Sequence, residues 1–177
     1  TATLLPGGRV LVVGGQGASG PLTAPETLWP GGAPATRNLA SRPTVDHAIA
    51  TPLADGTVLV AGGLRNSNGA PPLRYDPVGD AWASAGTPAV GWRQFHTQTL
   101  LADGRVLAAG GQGTSDTLAS AELYAPVANT WAATPDMAQP RHYHTATLLP
   151  GGGVLAAGGR GVENDAASTL AQAEVYQ

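Results

Sequence analysis

Glycine pairs stand at Gly14-Gly15, Gly62-Gly63, Gly110-Gly111 and Gly158-Gly159, a constant step of 48 in the numbering. A chain with so regular a period is constrained to a repeat architecture. Each period is one supersecondary unit, and neighbouring units must share a core that none can build alone. The phrase around each pair repeats as well. TATLLPGGRVLVVGG begins at Thr1, AIATPLADGTVLVAGG at Ala48, HTQTLLADGRVLAAGG at His96 and HTATLLPGGGVLAAGG at His144.

Within one period the pattern reads as four short strands, which makes the chain all-β. In the third period, His96 to Leu101 alternates and meets Asp103-Gly104, a two-residue turn of the kind hairpins favour. Arg105 to Ala109 is a nearly continuous apolar run, as in a strand buried on both faces. The glycine pair ends it, where a missing Cβ permits a bulge or a close backbone approach. A polar loop then leads to Ala121-Glu122-Leu123-Tyr124, and a turn at 125–129 leads to a fourth strand from Thr130-Trp131. Tyr75 and Trp82 keep the same spacing of seven as Tyr124 and Trp131. In the first period Trp29 and Thr36 take those places. The fourth period stops at Tyr176-Gln177, before its outer strand. The aromatic pairs are expected to pack between neighbouring sheets, and the sheets to stand radially around an axis as a β-propeller.

Charge narrows the partners. Only 12% of residues are charged, the net charge is −3, there is no lysine, and the nine arginines are scattered. Nucleic-acid and membrane-surface binders carry a basic stripe, and none is visible here. No apolar run approaches the roughly 20 residues of a membrane-spanning helix. With no cysteine, disulfides and thiolate sites within the segment are excluded. Thr1 falls inside a repeat, which leads to the expectation of a piece of a longer chain.

The order of glycine pair, Tyr, then Trp seven later, in a period near 50, resembles the kelch repeat. That resemblance implies an all-β kelch propeller of four-stranded antiparallel blades, the units lying at about 1–39, 43–87, 92–135 and 140–177 of one region. The last blade lacks its outer strand. Ring closure would come from further repeats of a parent chain or from a second copy. A closer likeness lies in Arg141-His142-Tyr143-His144-Thr145, followed by Leu148-Leu149-Pro150-Gly151-Gly152 and Val154. This stretch is similar to the one that supplies copper ligands in the galactose oxidase and glyoxal oxidase family. The resemblance would make Tyr143 an axial tyrosine and His144 a copper ligand. Those enzymes also use a tyrosine–cysteine thioether, for which this segment has no cysteine. In addition, His47 and His96 begin the same strand in other repeats, which explains His144 by repetition, with one ring nitrogen bonding a backbone carbonyl.

No phosphate-binding glycine loop, nucleophile with its base, or catalytic carboxylate pair is read from the sequence. Loops on a rigid scaffold are where ligands bind. The resemblance to kelch propellers implies that the loops after the glycine pairs (16–25, 64–72, 112–120 and 160–171) and those entering each first strand share one face. The residues expected to bind ligand are Arg65, Asn66, Trp92, Arg93, Arg141, His142, Tyr143 and Arg160, arginines for carboxylates and aromatics for sugars or peptide side chains. Arg93 and Arg141 each lie three residues before a histidine, which also suggests a repeated structural role for that pair. The leading reading is a non-catalytic propeller that binds a protein or glycan, without cofactor, on a secreted or cell-surface bacterial protein. The alternatives are a fragment of a copper-radical oxidase and a purely structural assembly unit.

Overall fold

A computed structural model describes the chain except for residues 19, 22–24, 29–36, 39–44, 66–67 and 164–165. The described residues form only strands, turns and loops, with no helix, and the chain divides into two units, Thr1–Ala85 and Gly86–Gln177.

The first unit holds two four-stranded antiparallel sheets. Sheet I is β1 (Ala2–Leu4), β2 (Val10–Val12), β5 (Glu26–Leu28) and β6 (Arg37–Asn38), with the small hairpin β3 (Gln16–Gly17) and β4 (Gly20–Pro21) inserted after β2. Sheet II is β7 (Ile49–Pro52), β8 (Val58–Ala61), β11 (Leu73–Asp76) and β12 (Ala81–Ser84), with β9 (Leu64–Arg65) and β10 (Asn68–Gly69) inserted at the same point. In the second unit, sheet III runs β13 (Thr97–Leu100), β14 (Val106–Ala109), β15 (Ala121–Ala125) and β16 (Thr130–Thr134). Sheet IV has three strands, β17 (Thr145–Leu148), β18 (Val154–Ala157) and β21 (Ala173–Tyr176), with the hairpin β19 (Arg160–Glu163) and β20 (Ala166–Thr169) between the last two. None of these sheets closes on itself.

The period carries through to the register. Ala2 faces Val12, Ala50 faces Val60, Gln98 faces Ala108 and Ala146 faces Ala156, each pair one full period beyond the last. The same turn joins the first two strands each time. In sheet III Leu101 N–H donates to the Arg105 carbonyl at 2.8 Å and Gly104 N–H to the Leu101 carbonyl at 3.0 Å; Leu5, Leu53 and Leu149 repeat this with their own partners. The loop therefore has three residues ending in a left-handed glycine (Gly104, φ 84°), which corrects the expected two-residue turn. Asp103 does not need a positive φ. Its carboxylate instead accepts from Arg105 N–H at 3.0 Å, as Asp55 accepts from Thr57 N–H at 3.0 Å.

Several of the paired glycines sit in equivalent surroundings, whereas a Cβ on Gly158 would meet only the Leu170 carbonyl oxygen, at 4.0 Å. A Cβ on Gly14 would collide with the Val45 carbonyl oxygen, and one on Gly110 would lie 2.5 Å from that of Arg141, the corresponding residue two periods on. The second glycines, Gly63, Gly111 and Gly159, press in the same way on the carbonyls of Asp46, Gln94 and His142, again one period apart. All five have positive φ, so only glycine combines the required backbone with the required space.

Each unit has its own core. In the first unit Leu5, Leu11, Val13, Val45, Val58, Val60 and Tyr75 form one cluster, against which Trp82 packs. In the second unit Leu107, Ala109, Ala121, Met137, Val154 and Ala156 do so, with Leu101, Leu123 and Tyr176 against them. β8 and β14 are buried along their whole length, as their continuous apolar runs require. First strands of adjacent sheets lie side by side, β1 by β7 and β13 by β17. The Tyr–Trp pairs are cross-strand neighbours with ring centroids 4.9 Å apart (Tyr75–Trp82) and 5.0 Å apart (Tyr124–Trp131). The tyrosines are fully buried, and their hydroxyls donate to Asp80 and Asn129 at the left-handed corner before the outer strand. The aromatic places of the first period, Trp29 and Thr36, lie outside the described residues.

Candidate functional site

In the second unit the two loop families expected on one face are joined by backbone pairing. Gln94 and Gln112 exchange N–H···O bonds of 3.0 and 2.7 Å, and His142 and Arg160 exchange two of 2.8 Å. Each segment entering a first strand is thus zipped to the loop that follows the glycine pair of the same sheet. This fixes two things next to each other: a row of rings and a small cleft.

Phe95 and Tyr143 stand on strained backbone, both with φ 56°; His47 has the corresponding place in the first unit's own repeat and φ 60°. Residues with a large side chain rarely adopt this conformation, and such strain gathers at functional positions. In the second unit Tyr143 N–H donates to the Phe95 carbonyl at 3.0 Å, and the rings meet with centroids 4.2 Å apart. The His142 ring lies 5.1 Å from that of Tyr143, and its Nδ1 is 3.2 Å from Thr117 Oγ1. Burial, and then the nearby Arg160 charge, hold the His142 pKa below its ordinary value. Tyr143 remains 56% exposed, a large ring presented to solvent.

The cleft, about 190 Å³, is lined by Val90, Gly91, Trp92, Gly113, Thr114, Asp116 and Leu118. Trp92 is partly buried there, while Thr114 and Asp116 are exposed. Asp116 is held by its neighbours: Ser115 Oγ donates to its carboxylate at 2.9 Å, and its carbonyl accepts from Gly113 N–H at 2.9 Å. An indole wall beside a fixed carboxylate and a hydroxyl suits a ligand that offers an apolar face and hydroxyl donors.

Arg93 and Arg141 do not belong to this surface. They are 2% and 0% exposed, with no guanidinium left to meet a ligand. Arg93 Nη1 donates to the carbonyls of Gly110 and Ser120, both at 2.8 Å, and Nη2 to Glu122 at 3.2 Å. Arg141 repeats the pattern with the carbonyls of Gly158 (3.0 Å) and Gln172 (3.2 Å) and with Glu174 (2.8 Å). The glutamates then accept backbone N–H groups, Ala89 at 2.8 Å for Glu122 and Ala138 at 2.6 Å for Glu174. Each arginine is a clamp that fastens the entering segment to the end of the second strand and to the third strand. The repeated structural role is the one these two residues fill. Sheet II has Val45 and Leu73 at the matching positions, both buried, so an apolar pair replaces an ionic one as a unit.

His96 and His144 are 5% and 7% exposed. His144 Nε2 is 3.0 Å from Thr97 Oγ1 and His96 Nε2 is 3.2 Å from the Gln98 side chain, in place of the expected backbone carbonyl. Burial first, and then the adjacent arginine (Arg93 or Arg141), pull their pKa values down to about 3 and about 4. Both rings are neutral at ordinary pH. Among the described residues no three His, Cys, Asp or Glu side chains converge as metal ligands.

Arg160 is exposed on β19 beside His142. Arg65 lies on β9 with its backbone opposite Asn68, and Asn66 lies outside the described residues. Phe95, Thr114, Asp116 and Thr117 were not among the residues expected to bind. Phe95 had a usable signal, its offset of one period from Tyr143. No protein-family model matches the chain, and no curated protein is significantly similar to it.

Proposed function

We propose that the chain is a kelch-type β-propeller region whose sheets are four-stranded blades, the last lacking its outer strand, and that it binds a protein or glycan ligand without catalysis. The architecture is supported by the identical register in all four periods and by first strands that lie side by side. A radial arrangement brings such strands together at an axis. Binding rests on one observation above the others. The loop face of the second unit holds the exposed Tyr143 ring on a strained backbone next to the cleft-forming entering loop of Trp92. Of the two ligand classes, a glycan fits better, because sugar rings stack on indole and phenol faces while Thr114 and Asp116 receive hydroxyls. A secreted or cell-surface setting suits such a ligand.

A glycan array followed by calorimetry tests this. Trp92→Ala and Asp116→Ala should abolish binding, and Arg160→Ala should weaken it. All three should leave Tm within about 2 °C of the parent, as surface changes do. Unchanged binding by Trp92→Ala and Asp116→Ala removes this face from the reading. The copper-oxidase reading is less well supported, since Tyr143 stacks in the open while His144 is buried against Thr97. Stoichiometric copper by electron paramagnetic resonance would reverse that ranking.

A further inference from the structure

The Trp92 cleft of the second unit carries a single charge. Of the residues that line it, only Asp116 ionises. Its carboxylate is exposed and accepts from a neutral hydroxyl, Ser115 Oγ, at 2.9 Å. Among the described residues no arginine or histidine forms an ion pair with it. The arginines of this unit are placed elsewhere. Arg93 is held by Glu122, Arg141 by Glu174 and Arg105 by Asp103, while Arg160 acts on His142. A cleft walled by one sign of charge concentrates ligands of the opposite sign.

The backbone holds this acid and the indole in place. Asp116 closes a short loop, its carbonyl accepting from Gly113 N–H at 2.9 Å, and Leu118 N–H donates to the Gly111 carbonyl at 2.8 Å. Thr117 bridges back to Gln112, which is itself paired with Gln94, two residues beyond Trp92. The cleft also stays open beside the indole. Gly91 has φ 86°, and a Cβ there would meet nothing within 4 Å. Among aromatic rings, tryptophan attracts a cation best, within about 6 Å of the ring centre. An ammonium in the cleft would therefore be drawn by the carboxylate and by the ring face together. At about 190 Å³ the cleft is smaller than the roughly 300 Å³ that drug-sized ligands require, so it takes one ring.

We propose that the unit bound in this cleft is an amino sugar with its amine free, a hexosamine whose ammonium group sits between Asp116 and Trp92. The proposal rests on the loop-face reading and narrows its glycan to a cationic class. N-acetylation would turn the ammonium into a neutral amide and remove both attractions at once. A lysine side chain offers the same charge, but it leaves the exposed Thr114 hydroxyl and the Tyr143 ring without use. A sugar chain uses both: hydroxyls for Thr114, and a second ring for Tyr143. The two places are joined by Thr117, whose Oγ1 lies 3.2 Å from His142 Nδ1, next to Tyr143.

Calorimetry on the intact chain tests this with oligosaccharides of equal length and linkage that carry an amine, an acetamide or a hydroxyl at the same ring carbon. The measurements are made at about pH 6, below the roughly 7.7 of an α-amino group, so that the amine is charged. The amine form should bind about tenfold tighter than the other two, the combined effect of an exposed ion pair and a cation–π contact. Asp116→Asn keeps the shape of an exposed side chain, so it should fold as the parent does and bring the three affinities together. Salt at about 0.5 M should shrink the preference in the parent. Equal affinities in the parent, or a preference that survives Asp116→Asn, would overturn the proposal and leave the loop-face reading standing. A short lysine peptide that binds as tightly as the amine form would overturn it too, since a peptide would then be the occupant. If no glycan of any class binds, the loop-face reading itself falls and takes the proposal with it.

Discussion

The clamp at Arg93 offers a quantitative test of how the repeats hold together. Arg93 and Glu122 have side chains 3% and 2% exposed, 3.2 Å apart. Glu122→Leu removes the carboxylate and leaves a guanidinium buried beside two carbonyls, together with the Ala89 N–H that had been bonded at 2.8 Å. Breaking one side of a buried pair costs about 3–5 kcal/mol. For a chain of 177 residues, about 1 kcal/mol moves Tm by about 2–4 °C, so Tm should fall by about 6–20 °C. Arg93→Val should cost a similar amount. The double variant Arg93→Val/Glu122→Leu installs the pair that sheet II already carries at Val45 and Leu73, and should recover much of the loss. Urea unfolding of all four proteins gives the coupling energy, expected to be at least about 3 kcal/mol, because a double variant more stable than either single one requires a coupling larger than one single cost. Coupling within about 0.5 kcal/mol of zero would refute the clamp, because the two residues would then act independently.

Two further predictions concern the glycines and the histidines. Gly104→Ala places its Cβ in open space at φ 84° and should cost about 1–2 kcal/mol of left-handed strain. Gly110→Ala adds a collision at 2.5 Å with the Arg141 carbonyl and should cost clearly more in the same denaturation assay; equal costs would contradict the packing described. The folded-state pKa values of His96 and His144, about 3 and about 4, lie below the ordinary 6.5. The unfolded chain therefore binds more protons between those values, and stability is full above pH 6.5 and falls as pH drops toward 3. His96→Gln should flatten the decline in urea midpoint as pH falls from about 6.5 to about 5; a parallel decline would show that His96 titrates normally.

The repeat and the main strands of each sheet were legible in the sequence because alternation, turn residues and glycines at fixed offsets agree there, whereas the hairpins β3–β4, β9–β10 and β19–β20 fall in segments read as loops. The nearness of the entering and post-glycine loops was implied by the kelch resemblance and by no local signal. Arg93 and Arg141 were expected among the ligand-facing residues and also to share a repeated structural role, and their burial agrees with the second. An arginine in a loop gives no sign of burial unless its carboxylate is sought, and Glu122 and Glu174 stand far along the chain, on the third strand of the sheet each arginine enters. The Val45 and Leu73 exchange was the available clue, visible once the repeats are aligned. The strain at His47, Phe95 and Tyr143 left no trace in composition, since none of these residue types signals a left-handed backbone as glycine does.

The central claim is that all four periods build the same three inner strands in the same register. Cross-strand Hα–Hα contacts measure this directly, because residues in non-hydrogen-bonded antiparallel pairs bring their Cα atoms to about 4.5 Å. Two-dimensional NMR should show such contacts between Ala2 and Val12, Ala50 and Val60, Gln98 and Ala108, and Ala146 and Ala156. A contact shifted by one residue in any of the four would break the equivalence and contradict the account.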